Sequence, residues 1–264
     1  MMIESAQLLE YGVRCSVYYL AAVASVLLFV YLECYATPRT DVTFQTSNKA
    51  IAKSFVASEM LTGAQCMALV SLLPFAVLCW CCFAGKQLRM SSSWTCRVPR
   101  PEWLPAAYHM WHVSCICLVL VLGVNGVLTN ALKLWISNFR PDFLDRCQLA
   151  AQAEPLEWYS VQMCQQTDKA LLYEGLKSTP SGHSSFVAAG IGFAYLWQCR
   201  FLTVDKKRHI WCPVLCVVVM VSRVVDHRHH WYDVLSGGLL GALVCYAVLA
   251  NVFVKPKSVS VLPL

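Results

Sequence analysis

Charged residues are scarce in this chain. They account for 14% of its 264 residues, and apolar ones for 58%, against about 25% and 45 to 50% in an average soluble domain. The shortage argues against water, and for lipid, as the solvent of most of the surface. N-glycosylation sequons of the form Asn-x-Ser/Thr are missing altogether, so natural glycosylation cannot report which side of a membrane a loop occupies. The formal net charge of +6 is spread over short loops with no basic arm interleaved with aromatics, which excludes nucleic acid as a partner. Internal repeats and low-complexity segments are absent too. Cysteine is plentiful, at 15 residues, but most of these thiols, Cys66, Cys115, Cys117, Cys216 and Cys245 among them, lie in apolar runs where they pack as small hydrophobes. The spacing of Cys79, Cys81 and Cys82 is wrong for a metal knuckle, and packing is preferred to lipidation for them.

What the chain does have is long uncharged runs. Six stretches, about 15–33, 61–83, 107–132, 184–202, 210–225 and 234–254, approach or exceed the roughly 20 apolar residues that cross a hydrocarbon layer as a helix. The expected fold is an all-α bundle of six transmembrane helices, one integral membrane domain over residues 1–264. The first stretch is read as an uncleaved helix, because Glu4 and Glu10 precede it where a signal peptide would be basic, and no small-residue cleavage site follows. Lys86, Arg89, Arg97 and Arg100, then Arg200, Lys206, Lys207 and Arg208, then Lys255 and Lys257 make alternate connections basic. The positive-inside tendency puts these and both termini in the cytoplasm, and residues 34–60, 133–183 and 223–233 on the opposite side. Between the third and fourth helices, Asp142 to Thr179 is expected to be irregular and, at that length, functional. Its only two cysteines, Cys147 and Cys164, are a candidate disulfide on the oxidising side.

Three polar clusters interrupt the apolar runs, all at helix ends on one predicted face. The first, KLWISNFRP, places Lys133 and Arg140 nearly two helical turns apart, so both can project from one side. The second, STPSGHSS, opens the fourth helix. The third, SRVVDHRHHWYD, forms the turn between the last two. Metal-free cleavage of a phosphomonoester needs cations and amides for the nonbridging oxygens, a nucleophile, and an acid for the departing oxygen. Lys133, Arg140 and Arg223 supply the cations. Ser181 and Gly182, at a helix start, offer backbone N–H groups and the positive end of the helix dipole. Asp233 follows His229 by four residues, a spacing that lets a carboxylate hold one ring nitrogen and leave the other to attack, so His229 is assigned as nucleophile. His183, beside the anion cradle, is then the acid.

These clusters resemble the three signature motifs of the type-2 phosphatidate phosphatase superfamily, KxxxxxxRP, PSGH and SRxxxxxHxxxD. They match at Lys133, Arg140 and Pro141, at Pro180 to His183, and at Ser222, Arg223, His229 and Asp233. The stretches RPDFLDRC and EGLKSTPSGHSSF are similar to the branch of eukaryotic lipid phosphate phosphatases acting on phosphatidate and diacylglycerol pyrophosphate. The resemblance implies Mg2+-independent hydrolysis, with no cofactor, through a phosphohistidine at His229. It also implies His183 as acid, and Lys133, Arg140, Ser181, Gly182, His183 and Arg223 on the phosphate. The substrate partner would be a membrane lipid phosphate, phosphatidate first. A lipid phosphotransferase on the same scaffold and a catalytically silent lipid-phosphate binding protein are the alternatives, and homo-oligomerisation is left open.

Other polar residues carry plainer expectations. His227, His230 and Asp226 are read as structural or solvent-facing, and Arg228 as a candidate headgroup contact. His109 and His112 are interfacial on the cytoplasmic side, Asn125, Asn130 and Asn138 bond between helices, and Trp103, Trp111, Trp158 and Trp231 are belt residues.

Overall fold

The computed structural model describes residues 2–84, 94–149, 154–202 and 205–255. Lys86, Arg89 and Lys257 of the basic connections lie outside the described residues. The chain is mostly helical: α1 (Met2–Cys34), α2 (Gly63–Cys79, continued by a π-helical turn Trp80–Ala84), α3 (Ala106–Ile136), the short α4 (Phe143–Cys147) and α5 (Lys169–Glu174), then α6 (Gly182–Phe201), α7 (Trp211–Val225) and α8 (Trp231–Val252). Local chemistry fixes several of these ends. Thr62 and Gln65 form a reciprocal capping box at the start of α2. Ser137, in the left-handed region at φ 47°, ends α3. His227, at φ 54°, turns the chain after α7.

Among the described residues, five helical segments are long and apolar enough to cross a membrane: Ser5–Cys34, Gly63–Ala84, Ala106–Ile136, Lys206–Val225 and Trp231–Val252. They cover five of the six expected spans. α6, the remaining one, falls short on composition because it opens with Gly182, His183, Ser184 and Ser185 and closes with Gln198 and Arg200. It is also the helix that least needs an apolar surface, since α2, α3, α7 and α8 all pack on it and most of its residues are buried. α1 is the opposite case: it packs on α3 and leaves Leu8, Leu9, Val13, Val17, Leu20, Val23 and Leu27 exposed.

Lipid is as apolar as a leucine side chain, so helices in a bilayer associate through close packing and hydrogen bonds. Both are present around α6. Asn125 Nδ2 donates to Ser185 Oγ at 3.2 Å, Thr129 and Ser185 share a bond of 2.9 Å, and Trp197 Nε1 donates to Ser114 Oγ at 2.8 Å. Gly237 and Gly241 bring α8 against the first turns of α6, where an added Cβ would run into the main-chain oxygens of Ser181 and Ser185.

The segment between α3 and α6 is less irregular than its sequence suggests. Besides α4 and α5 it contributes β3 (Tyr159–Ser160), which pairs antiparallel with β1 (Thr43–Phe44) from the α1–α2 connection. Phe44, Ile51, Phe143, Val161, Leu172 and Leu176 form a separate apolar cluster around Cys147 and Cys164, whose sulfurs are at bonding distance. Sequence periodicity could not reveal this unit, because its core is assembled from two connections far apart in the chain. At the other end of the bundle β2 (Thr95–Cys96) pairs with β4 (Phe253–Val254). There His109, read as interfacial, is buried and shares the Tyr11 hydroxyl with His112 at 2.8 and 2.9 Å.

Candidate active site

The last turns of α3 and α7, the start of α6 and the turn before α8 meet around a cavity of about 330 Å³. Lys133, Arg140, Gly182, His183, Arg223 and His229 all line it, while Ser181 and Asp233 lie behind its wall. Lys133 occupies the last turn of α3, and its Nζ sits 3.0 Å from where a Cβ on Gly182 would be. The missing side chain of Gly182 is therefore what admits the ammonium to the opening turn of α6. Arg140 follows the turn at Ser137, and its Nη2 donates to Glu174 at 2.9 Å. Beyond α7 the chain folds back so that the amides of Arg228 and His229 both donate to the carbonyl of Arg223, at 3.1 and 3.3 Å. This returns His229 to the side of the arginine six residues earlier.

The two histidines are held differently. Nδ1 of His229 lies 2.8 Å from the main-chain carbonyl of Ser178. A carbonyl only accepts, so Nδ1 carries the proton and Nε2 is left with a free lone pair. Burial, reinforced by the charges of Arg140, Lys133 and His183, holds this imidazole well below the ordinary histidine pKa, against the pull of the Ser178 bond. His183 Nε2 donates to the Leu61 carbonyl at 3.0 Å, with Arg223 Nη1 at 3.4 Å.

Sequence spacing pairs Asp233 with a ring nitrogen of His229, and here the folded chain corrects the reading. As the third residue of α8, Asp233 points its carboxylate back over the helix start. There it accepts from the His230 amide at 2.9 Å, from His230 Nδ1 at 3.1 Å, from Ser178 Oγ at 2.6 Å and from Thr179 Oγ1. Its link to His229 runs through Ser178. Asn138, expected to bond between helices, instead joins this network from the end of α3: its side chain donates to Thr179 Oγ1 at 2.8 Å, and its carbonyl accepts from the Ser178 amide at 3.1 Å. Ser181 is likewise occupied, its amide donating to the Asp233 carbonyl at 2.9 Å and its hydroxyl accepting from Ser184 at 3.0 Å. At the start of α6 the residues that border the cavity are Gly182 and His183, whose amides belong to the first turn, where no helical acceptor is available.

Several cavity residues carry no signal in the motifs: Arg228, Glu33, Glu59, Glu174 and Asn130. Glu174 is pulled down to about 2 because Arg140, Lys133 and Lys177 outweigh its burial. His230 goes the other way. Burial lowers its pKa, but bonds to Asp233 and to the Ala50 carbonyl, at 3.1 Å each, raise it overall and leave both ring nitrogens facing acceptors. Phe29, Cys66, Met67 and Phe186 add apolar side chains to the same lining. The cavity thus combines ionic and apolar surface.

The PAP2 superfamily profile matches residues 114–257, which include all three motifs. The chain belongs to the PAP2 superfamily. Within it, the chain is 42% identical to lipid phosphate phosphatase 1 of Saccharomyces cerevisiae over 242 residues, covering 90% of this chain and 88% of the relative. Diacylglycerol pyrophosphate phosphatase 1 of the same yeast is 34% identical over 54% of this chain and 52% of its own length. Lipid phosphate phosphatase 2 of Arabidopsis thaliana is 32% identical over 66% and 57%. No solved structure matches the chain. Against this PAP2 background, Arg228, Glu59 and Glu174 line the cavity from positions that the three signature motifs leave open.

Proposed function

We propose that this PAP2 protein is a Mg2+-independent lipid phosphate phosphohydrolase, converting phosphatidate to diacylglycerol and phosphate through a phosphohistidine at His229. One observation carries the reading: His229, with Nδ1 turned to the Ser178 carbonyl so that Nε2 is left to attack, lines the same cavity as Lys133, Arg140 and Arg223, together with apolar side chains. The cations and the Gly182 and His183 amides would hold the nonbridging oxygens while Nε2 attacks phosphorus in line with the ester oxygen. As the N–P bond forms and the P–O bond breaks, His183 gives its proton to the leaving alkoxide, exchanging the Leu61 carbonyl for it. Water, deprotonated by His183, then attacks phosphorus, releasing inorganic phosphate and restoring His229. Ser181 and Asp233 serve this scheme from behind, by fixing the start of α6 and the Ser178 carbonyl.

In the same reading α6 is the sixth crossing, shielded from lipid by its neighbours, both termini are cytoplasmic, and the cavity opens on the opposite side. The basic connections at the other end of the bundle support this orientation. Cys147 and Cys164 would form a disulfide there, recoverable as a linked peptide pair by non-reducing mass mapping.

The deciding assay uses purified protein in detergent micelles containing phosphatidate and EDTA. Phosphate release is expected in the wild type and not in His229→Ala, and acid-labile radiolabel from phosphatidate labelled in the phosphate should be trapped on the protein only when His229 is present. Full activity in His229→Ala, or activity abolished by EDTA, would defeat the mechanism.

A further inference from the structure

Arg228 lies outside the positions that define the motifs, yet it closes the same cavity. Its guanidinium is buried, 4.8 Å over the Phe55 ring, and donates through Nη2 to the Val56 carbonyl at 2.7 Å and to Glu59 Oε1 at 3.1 Å. Its Nε is buried without a partner. The other Glu59 oxygen, Oε2, accepts from Arg223 Nη1 at 2.9 Å. One carboxylate therefore bridges a motif arginine and a non-motif arginine, oxygen by oxygen, in the way a phosphoryl group joins two guanidinium forks.

The surrounding charges say which acid can leave. Three guanidinium ions, Arg146, Arg223 and Arg228, face three carboxylates, Asp142, Asp226 and Glu59. The side chains of Asp142 and Asp226 are 0% and 4% exposed and neither lines the cavity. Removing either would leave the three buried arginines one carboxylate short at a place the cavity does not reach. Glu59 is 24% exposed, lines the cavity, and belongs to residues 52–62, which form neither helix nor strand. With Glu59 in place the six charges cancel, so an incoming dianion added beside it would meet a carboxylate and no spare cation in this group. A dianion exchanged for it would meet two arginine forks.

We propose that Glu59 is a resident anion of the empty site, displaced by the substrate's phosphoryl group, and that Arg228 is a further phosphate-holding cation uncovered by the exchange. The proposal rests on the phosphoryl-binding role given to the cavity above. It also links binding to chemistry, because Leu61, two residues beyond Glu59, holds the Nε2 proton of His183. Moving Glu59 aside loosens the stretch of chain that occupies the acid.

Isothermal titration of the full-length protein in detergent with inorganic phosphate tests this without turnover. Glu59→Gln keeps the shape and removes the charge, so phosphate is expected to bind about tenfold more tightly than in the wild type, a difference of one decade in Kd. Arg228→Gln should weaken it by a similar factor. Glu59→Asp retains the charge but is too short to span both arginines, and it too should bind phosphate more tightly, which keeps the test open if the glutamine variant folds poorly. Phosphate affinity unchanged or weakened in both Glu59 variants would overturn the exchange and make Glu59 a fixed buttress. Phosphatidate hydrolysis is measured on the same preparations, so the two readings fail separately: lack of wild-type turnover counts against the phosphatase assignment, and unimproved phosphate binding counts against the exchange.

Discussion

Asp233 and His229, four residues apart, communicate through a third residue: the Asp233 carboxylate fixes the Ser178 hydroxyl at 2.6 Å, and the Ser178 carbonyl fixes His229 Nδ1 at 2.8 Å. Asp233 makes no bond to the His229 ring and reaches it only through Ser178. Asn138 and Thr179 extend the same lattice, so one segment from each of the three motif regions is tied to the others behind His229.

This arrangement ranks two variants. Asp233→Asn replaces an acceptor of four hydrogen bonds by a group that accepts at one end only, and a displaced imidazole should lower kcat on the order of 10²-fold. Ser178→Ala keeps the carbonyl and should cost about tenfold, close to one lost hydrogen bond. Both should leave KM nearly unchanged, because the phosphate-holding side chains are untouched. A direct Asp233–His229 relay predicts instead that Ser178→Ala is silent.

The adjacent histidines carry opposite signs with pH. His229 is depressed below about 6.5, so the unfolded chain binds its proton more readily. Its contribution to stability is present above about 6.5 and is lost as pH falls toward the folded value. His230 is raised, so its contribution is complete below about 6.5 and is lost as pH rises through the folded value. Histidine-selective carbon-13 NMR at pH about 6.5 should find His229 neutral and His230 charged. The acid limb of kcat/KM, corrected for ionisation of the substrate phosphate, should fall below 6.5.

Gly237 sets the distance between α8 and the start of α6. A methyl group there meets the Ser181 carbonyl oxygen and lies 3.1 Å from the Ser181 nitrogen, both backbone atoms that cannot rotate away. Gly237→Ala should therefore destabilise by about 1 to 3 kcal/mol and reduce turnover together with thermal stability, whereas Gly192→Ala, which meets nothing within 4 Å, should do neither.

Sidedness is open to a clean mapping experiment, because no natural sequon interferes. If α6 crosses the bilayer, a sequon engineered at residues 154–156 should be glycosylated in microsomes and one at residues 206–208 should not. Modification at both positions would mean that α6 does not cross.

Much of the architecture was legible because apolar runs of membrane length announce themselves, and because the motif residues lie at the ends of those runs. Boundaries are less so: the apolar run stops at residue 132, whereas α3 continues through Lys133 to Ile136 and ends at the left-handed Ser137. α6 was recognised from its apolar middle, although its polar ends separate it from the five apolar segments. The partners of Asp233 and Arg223 were hidden for a different reason. Spacing within one segment suggests neighbours along a helix, whereas Ser178 and Glu59 reach these residues from connections 55 and 164 positions away. Arg228 was noticed only for its charge, and nothing in its local sequence indicates that Phe55 and Glu59 cover it.

Phe29 and Glu33 reach the cavity from α1, a helix whose extensive packing is with α3. Phe29 stacks against Phe186 of α6 at 5.4 Å between ring centroids. α1 therefore carries a long lipid-facing flank and two of the side chains that line the cavity, so a tilt of this helix in a thinner or thicker bilayer would be felt at Phe29 and Glu33.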